Sequence, residues 1–211
     1  MNPTITTAGA SPELAAVEVE GVSREAFLVK GVLAAGAVYG GTMISPYLRS
    51  ALAQSDMGDV DILNFALTLE YLEADFYRQA LKLGLSSEVK SVAKAFGKAE
   101  QEHVDALKAT IKQLGGTAVA SPSFTFGMKD EKSFLKLAQT LEDTGVSAYN
   151  GAGPSIKSKE VLAAAGSIVQ IEARHAAVIR LLRGNVPAPD AFDSSLAKDK
   201  VLAAVTPLIK Q

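Results

Sequence analysis

The two histidines of this 211-residue chain, His103 and His175, each follow a glutamate by three residues. The strings are Glu100-Gln-Glu-His103 and Glu172-Ala-Arg-His175. Residues three apart on a helix share a face, so each pair can direct a carboxylate oxygen and an imidazole nitrogen toward one point. Iron and manganese accept such mixed ligands, and zinc can occupy the same kind of site in vitro. Both histidines of the chain therefore lie in a pattern that predicts metal binding.

An internal repeat with an offset of 72 residues relates the two Glu-x-x-His strings. In each half a Leu-Glu-x6-Tyr string lies upstream, and its glutamate precedes that of Glu-x-x-His by 30 residues. The pairs related by the offset are Glu70 and Glu142, Tyr77 and Tyr149, Glu100 and Glu172, and His103 and His175. The repeat predicts four helices that contribute four glutamates and two histidines to one site.

Four glutamates inside a helical bundle need compensating charge, because a buried carboxylate is costly unless it is paired or bound to a metal. With both histidines neutral, four negative charges match two divalent cations. This charge balance favours a two-metal centre over a single ion. The candidate ligands are Glu70, Glu100, His103, Glu142, Glu172 and His175.

Four nearby polar residues have separate interpretations. Glu73 is expected at the edge of the site as a neighbour of the ligands or a variable ligand, whereas Glu102 is expected in solvent. Asp143 is expected to be a surface or hydrogen-bonding group. Arg174 is either a partner in an ion pair near the site or a solvated surface residue.

Tyr77 and Tyr149 lie two helical turns after Glu70 and Glu142, on nearly the same helix face. We expect core aromatic residues with satisfied hydroxyl groups. The alternative is a hydrogen bond from each hydroxyl to a ligand carboxylate.

Hydrophobic residues at intervals of three and four predict four long helices. Polar capping residues mark their starts and glycines mark most of their ends. The predicted helices run from Asp59 or Asp61 to Gly84, from Ser86 to Gly115, from Asp130 or Lys132 to Tyr149 and from about Ser158 to Arg183. Two short connections and one longer crossover, which contains Pro122, are typical of a four-helix bundle. A short helix from Ser195 to Val205 is expected to pack across the bundle or against another subunit.

Composition excludes several classes of function. The 48% hydrophobic content fits one globular domain. The 21 Lys and Arg are balanced by 23 Asp and Glu without a basic stripe, so a nucleic-acid partner is not expected. The chain has no cysteine, which excludes disulfides and thiolate metal sites.

The first 55 residues differ from the remainder and are expected to be a targeting region or an apolar arm. Residues 29–44 are almost uncharged but shorter than the roughly 20 residues of a membrane span. A small-x-small string, Ala51-Leu-Ala53, suits signal-peptide cleavage before Gln54. Residues 23–28 resemble a twin-arginine export signal, although Glu25 stands where that signal has its second arginine. We expect an exported protein, periplasmic or extracellular. The alternative is a cytoplasmic protein whose N-terminal arm packs on a partner subunit or a membrane surface.

These motifs together resemble the ferritin-like di-metal carboxylate superfamily. The strings at residues 69–77, 141–149 and 171–175 are most similar to the desiccation-related ferritin-like domain family. The resemblance covers residues 56–184 and implies an all-α, antiparallel four-helix bundle with a crossover connection, preceded by residues 1–55 and followed by a tail, 185–211. It implies the six ligands named above, with Glu100 and Glu172 as bridging carboxylates.

The resemblance also implies a class of function. Two divalent ions, iron first and manganese second, would react with dioxygen or peroxide, as in a di-iron oxidase or ferroxidase acting in oxidative or desiccation stress. A manganese catalase and a non-enzymatic, exported stress-protection protein with a structural metal centre are the alternatives. Iron storage in a hollow shell is the least favoured, and a homo-oligomer is compatible with each.

Overall fold

Residues 58–210 are described by the computed structural model, and they fold into four long helices and one short helix. The helices are α1 (Asp59–Ala80), α2 (Ser87–Gln113), α3 (Glu131–Ala152), α4 (Lys159–Leu182) and, in the C-terminal tail, α5 (Lys198–Val205). α1 packs mainly against α2, and α3 mainly against α4. The predicted all-α four-helix bundle is confirmed, whereas the predicted targeting region at residues 1–55 lies outside the described residues.

Side chains cap the starts of α2, α3 and α4 at the predicted residues. Ser86, Asp130 and Ser158 each accept a hydrogen bond from the backbone N–H group three residues later. Gly115 and Gly184, both with positive φ, follow α2 and α4. Local sequence therefore sets most of the helix ends.

The first helix differs from the prediction at both ends. Its N-cap is Gly58, which makes no side-chain bond, and it ends at Ala80, earlier than the predicted glycine. The carboxylate of Asp59 instead accepts hydrogen bonds from the backbone N–H groups of Lys157 and Ser158, both at 2.8 Å. Asp59 thus holds the start of α4 against the start of α1.

The C-terminal tail packs against α3. The backbone N–H group of Leu196 donates to the carbonyl of Ser147 at 2.9 Å. A Cβ atom at Gly151 would lie 2.0 Å from the carbonyl oxygen of Leu196, so only glycine allows this approach. α5 begins at Lys198, later than predicted, and contributes two buried valines to the core.

Two hydrophobic clusters fill the bundle. One includes Phe76, Phe134 and Ile179, and the other includes Leu67 and Ile111. In α2 and α4 the two Glu-x-x-His strings lie between the segments that supply these clusters. The polar strings therefore sit among apolar side chains. Within residues 58–210, none of the helices combines the length and the apolar character that a membrane crossing requires.

Candidate metal centre

The four long helices bring all six predicted ligand residues together in the interior. The residues are Glu70 on α1, Glu100 and His103 on α2, Glu142 on α3, and Glu172 and His175 on α4. The four glutamates are at most 1% exposed, and His175 is 5% exposed. The side chain of His103 is 12% exposed, so the cluster is most open to solvent at that residue.

Two groups of four donors occupy the cluster, and in each group the donor atoms lie within 4.8 Å of one another. One group is Glu70, Glu100, His103 and Glu172, and the other is Glu142, Glu172, His175 and Glu100. The groups share Glu100 and Glu172, and the 72-residue offset exchanges one group for the other. This arrangement is compatible with two adjacent cations that have separate terminal ligands and two shared carboxylates.

Both histidines direct Nδ1 into the cluster. Nδ1 of His103 lies 2.9 Å from Glu100, 3.1 Å from Glu70 and 3.2 Å from Glu172. Nδ1 of His175 lies 2.8 Å from Glu100 and 3.5 Å from Glu142. A single N–H group cannot satisfy several carboxylates at once, so the geometry suits a shared cation better than a set of hydrogen bonds.

Several buried oxygen and nitrogen atoms of the cluster lack a hydrogen-bond partner within residues 58–210. They are Oε1 of Glu100, Oε2 of Glu142, both carboxylate oxygens of Glu172 and Nδ1 of His175. The 2.8 Å approach of Nδ1 of His175 to Oε1 of Glu100 is too poorly directed to be a hydrogen bond. Unpartnered buried polar atoms are rare in native proteins. Oxygen and nitrogen donors that converge in this way fit divalent cations.

Burial raises the pKa of most carboxyl groups in the cluster. It raises the pKa of Glu70 to about 7, against the opposing hydrogen bond from His103. Burial also raises the pKa of Glu142 and raises that of Glu172 well above its usual range, where the charge of Glu70 adds to the effect. Protons held on these groups must be released when a cation binds.

Glu100 is the exception among the carboxyl groups. Burial acts to raise its pKa, but the hydrogen bond from His103 and the close approach of the His175 imidazole lower it to about 2. Burial acts to lower the pKa of the histidines, yet the surrounding glutamates raise it to about 12 for His103 and about 9 for His175. Without a bound cation the imidazolium groups therefore compensate part of the carboxylate charge.

Tyr77 and Tyr149 connect the two halves of the repeat. The hydroxyl of Tyr77 donates to Oε1 of Glu142, and the hydroxyl of Tyr149 donates to Oε1 of Glu70 at 2.5 Å. Burial and the adjacent carboxylate raise the pKa of both phenols well above the usual value, so both remain donors. The structure therefore shows the predicted alternative, a bond to a ligand carboxylate, and each bond reaches the glutamate of the opposite half.

The neighbouring polar residues occupy different environments. Glu73 is 3% exposed and lies beside the cluster. Asp143 accepts a hydrogen bond from Arg180 at 2.5 Å, between α3 and α4. Glu102 and Arg174 are exposed, as the solvated interpretation of each predicts.

Phe96 belongs to the site although its sequence pattern indicates only a core position. Its ring stacks on the imidazole of His175, with centroids 3.8 Å apart and an interplanar angle of 22°. The only signal for this contact is that Phe96 precedes Glu100 by one helical turn on α2. The stacking restricts the orientation of the imidazole ring.

The fold and the cluster define a four-helix-bundle protein with a buried carboxylate and histidine site. The chain belongs to the ferritin-like domain family, whose sequence model matches residues 58–185. A conserved hypothetical protein from Mycobacterium tuberculosis has a similar structure, with 19% sequence identity and a TM-score of 0.56. The match covers 64% of this chain and 96% of that one, and it supports the fold alone. No curated protein sequence matches the chain significantly. The narrower resemblance to desiccation-related proteins stays a prediction.

Proposed function

We propose that the protein binds two divalent metal ions in this cluster and uses them in a reaction with dioxygen or peroxide. The observation that carries the proposal is the pair of donor groups that share Glu100 and Glu172. Carboxylate and imidazole donors favour iron first and manganese second. The resemblance to desiccation-related proteins is the basis for a role in oxidative or desiccation stress.

The chain's own residues organise the chemistry. A bound pair of iron or manganese ions would supply the redox capacity for reduction of dioxygen or peroxide. The glutamates supply the negative charge that retains divalent ions, and the hydroxyls of Tyr77 and Tyr149 hold two of those carboxylates in place. The hydrophobic clusters on either side limit the access of water. His103, the most exposed of the six residues, marks the side nearest to solvent.

A structural role for the metals is the second candidate. The burial of four glutamates between helices favours it, because uncompensated carboxylates weaken a bundle that bound cations would hold together. The protein would then be a non-enzymatic stress-protection protein. A manganese catalase would use the same residues with peroxide alone.

Elemental analysis of protein purified without added metal tests the proposal. We expect two ions per chain, and reactivity with dioxygen or peroxide after loading with Fe²⁺ or Mn²⁺. Glu100→Ala and His103→Ala should lose both metal and reactivity, whereas Glu102→Ala, on the exposed face of the same helix, should retain them. Unchanged reactivity with a lowered melting temperature in the first two variants would support the structural role. One ion per chain, or none, would overturn the two-metal proposal.

A further inference from the structure

Among the buried carboxylates of residues 58–210, Glu73 alone has no carboxylate counterpart in the 72-residue repeat. Glu73 follows Glu70 by three residues on α1, and its counterpart on α3 is Gly145, three residues after Glu142. The six candidate ligands and the two tyrosines, by contrast, pair identical residue types across the repeat. One half of the site therefore carries an extra carboxylate where the other half has no side chain.

Gly145 provides the space in which the Glu73 carboxylate lies. A Cβ atom at position 145 would lie 3.3 Å from Oε1 of Glu73 and 3.3 Å from Oε2 of Glu172. The two carboxylates, from α1 and α4, thus converge on the same point beside the backbone of α3. The absence of a side chain at Gly145 thus leaves room for the carboxylate of Glu73.

Glu73 is buried beside the carboxylates of the cluster. Glu73 is only 3% exposed, and no hydrogen bond or ion pair reaches it within residues 58–210. The charges that act on it most strongly are the carboxylates of Glu172 and then Glu142, ahead of Glu100 and Glu70. A buried carboxyl group in such surroundings stays protonated or, when a cation displaces its proton, binds that cation as a ligand.

We propose that Glu73 is a seventh metal ligand that joins the group of Glu142 and His175. The inference rests on the proposed two-metal function and makes the two positions unequal. The position of Glu142 has an additional anionic donor and should bind its ion more tightly. The position of Glu70 and His103 has no equivalent donor, because Gly145 stands where the repeat would place a counterpart of Glu73. This position therefore keeps more room for a small reactant.

Titration with Mn²⁺ by calorimetry tests this role in the full chain. The wild type should bind two ions in two steps of different affinity. Glu73→Gln keeps the shape and removes the charge, so the tighter step should weaken at least tenfold and approach the weaker one. Glu73→Asp keeps the charge but shortens the side chain by one methylene, and it should lose as much affinity because ligation requires contact. Glu102→Gln, which removes an exposed carboxylate of α2, is the matched control and should match the wild type.

The outcomes separate this inference from the proposed function. A wild type that binds no pair of ions refutes the two-metal function itself. If Glu73→Gln binds two ions with wild-type affinities, only the role of Glu73 is refuted. If Glu73→Asp alone keeps the wild-type affinities, Glu73 acts through its charge and is not a ligand.

Co²⁺ absorption of the wild type gives a test that does not depend on the folding of a variant. The bands of Co²⁺ strengthen as its coordination number falls. The first equivalent, at the position with the extra carboxylate, should therefore absorb more weakly than the second. Equal intensities for the two equivalents would contradict the proposal.

Discussion

At the scale of the residue, the two terminal glutamates of the cluster are held differently. Glu70 accepts a hydrogen bond from Tyr149 on Oε1 and contacts Nδ1 of His103 at 3.1 Å through Oε2. Glu142 accepts a hydrogen bond from Tyr77 on Oε1, but its Oε2, which Nδ1 of His175 approaches to 3.5 Å, has no hydrogen-bond partner within residues 58–210. Among the described residues, Tyr77 is thus the sole hydrogen-bond donor to Glu142, whereas Tyr149 and His103 both contact Glu70.

Removal of the tyrosine hydroxyls should reveal this difference. Tyr77→Phe leaves Glu142 without any hydrogen bond, so we expect metal affinity to fall roughly 10- to 100-fold, as for other groups that orient ligands. Tyr149→Phe leaves Glu70 with its histidine contact and should lose less affinity. Calorimetric titration with Mn²⁺ measures both effects. Tyr71→Phe is the control, because the Tyr71 hydroxyl donates to the carbonyl of Val119, outside the site. Equal affinities in all three variants would show that the hydroxyls serve only the core.

At the scale of the element, Asp59 links two helix starts. Asp59→Ala removes two hydrogen bonds to the backbone before α4, and we expect a loss of about 1–2 kcal/mol in the free energy of unfolding. Asp61→Ala is a matched control, since Asp61 also lies in the first turn of α1 but is exposed. Denaturant unfolding of both variants measures the difference. Equal losses would indicate that the charge at the start of α1, and not the contact with α4, is what stabilises the fold.

The sequence predicts those helix ends that depend on residues close together in the chain. The capped starts at Ser86, Asp130 and Ser158 depend on residues within one helical turn, and the sequence predicts them. Asp59 bonds to residues about 100 positions away, so no local pattern reveals its partner. Leu162 continues the hydrophobic pattern of α4 but is 45% exposed, because the pattern alone does not indicate which of its residues a neighbouring helix covers.

The same limit applies to the site. The Glu-x-x-His strings and the 72-residue offset predict which residues meet, because each string fixes one face of one helix. They do not show that Tyr77 crosses to Glu142 and Tyr149 to Glu70, since helical spacing does not tell which helix lies opposite. The role inferred for Glu73 likewise depends on its position relative to Gly145, which only the packing of α1 against α3 defines.

At the scale of the whole molecule, protons and cations compete for the same buried groups. The folded-state pKa is raised to about 7 for Glu70, about 9 for His175 and about 12 for His103. The folded protein therefore binds more protons than the unfolded chain through neutral pH. Glu100, whose pKa is lowered to about 2, has the opposite effect, but only in acid, below its unfolded value of 4.5.

The stability of the metal-free protein should thus fall with rising pH, whereas the additional stability from bound metal should grow. The stabilisation from His103 and His175 is complete below their unfolded pKa of 6.5 and is lost as the pH rises through the folded values. Deprotonation of Glu70 between 4.5 and about 7 acts in the same direction. The melting temperature in the presence of a chelator should therefore fall from about pH 5 to pH 9.

Because cation binding releases these protons, the increase in melting temperature on addition of Mn²⁺ should grow over the same range. Thermal melts with and without metal measure both trends, and Glu102→Gln should follow the wild type. A metal-dependent increase that stays constant with pH would contradict the competition, because it would mean that the cation displaces no protons from the cluster.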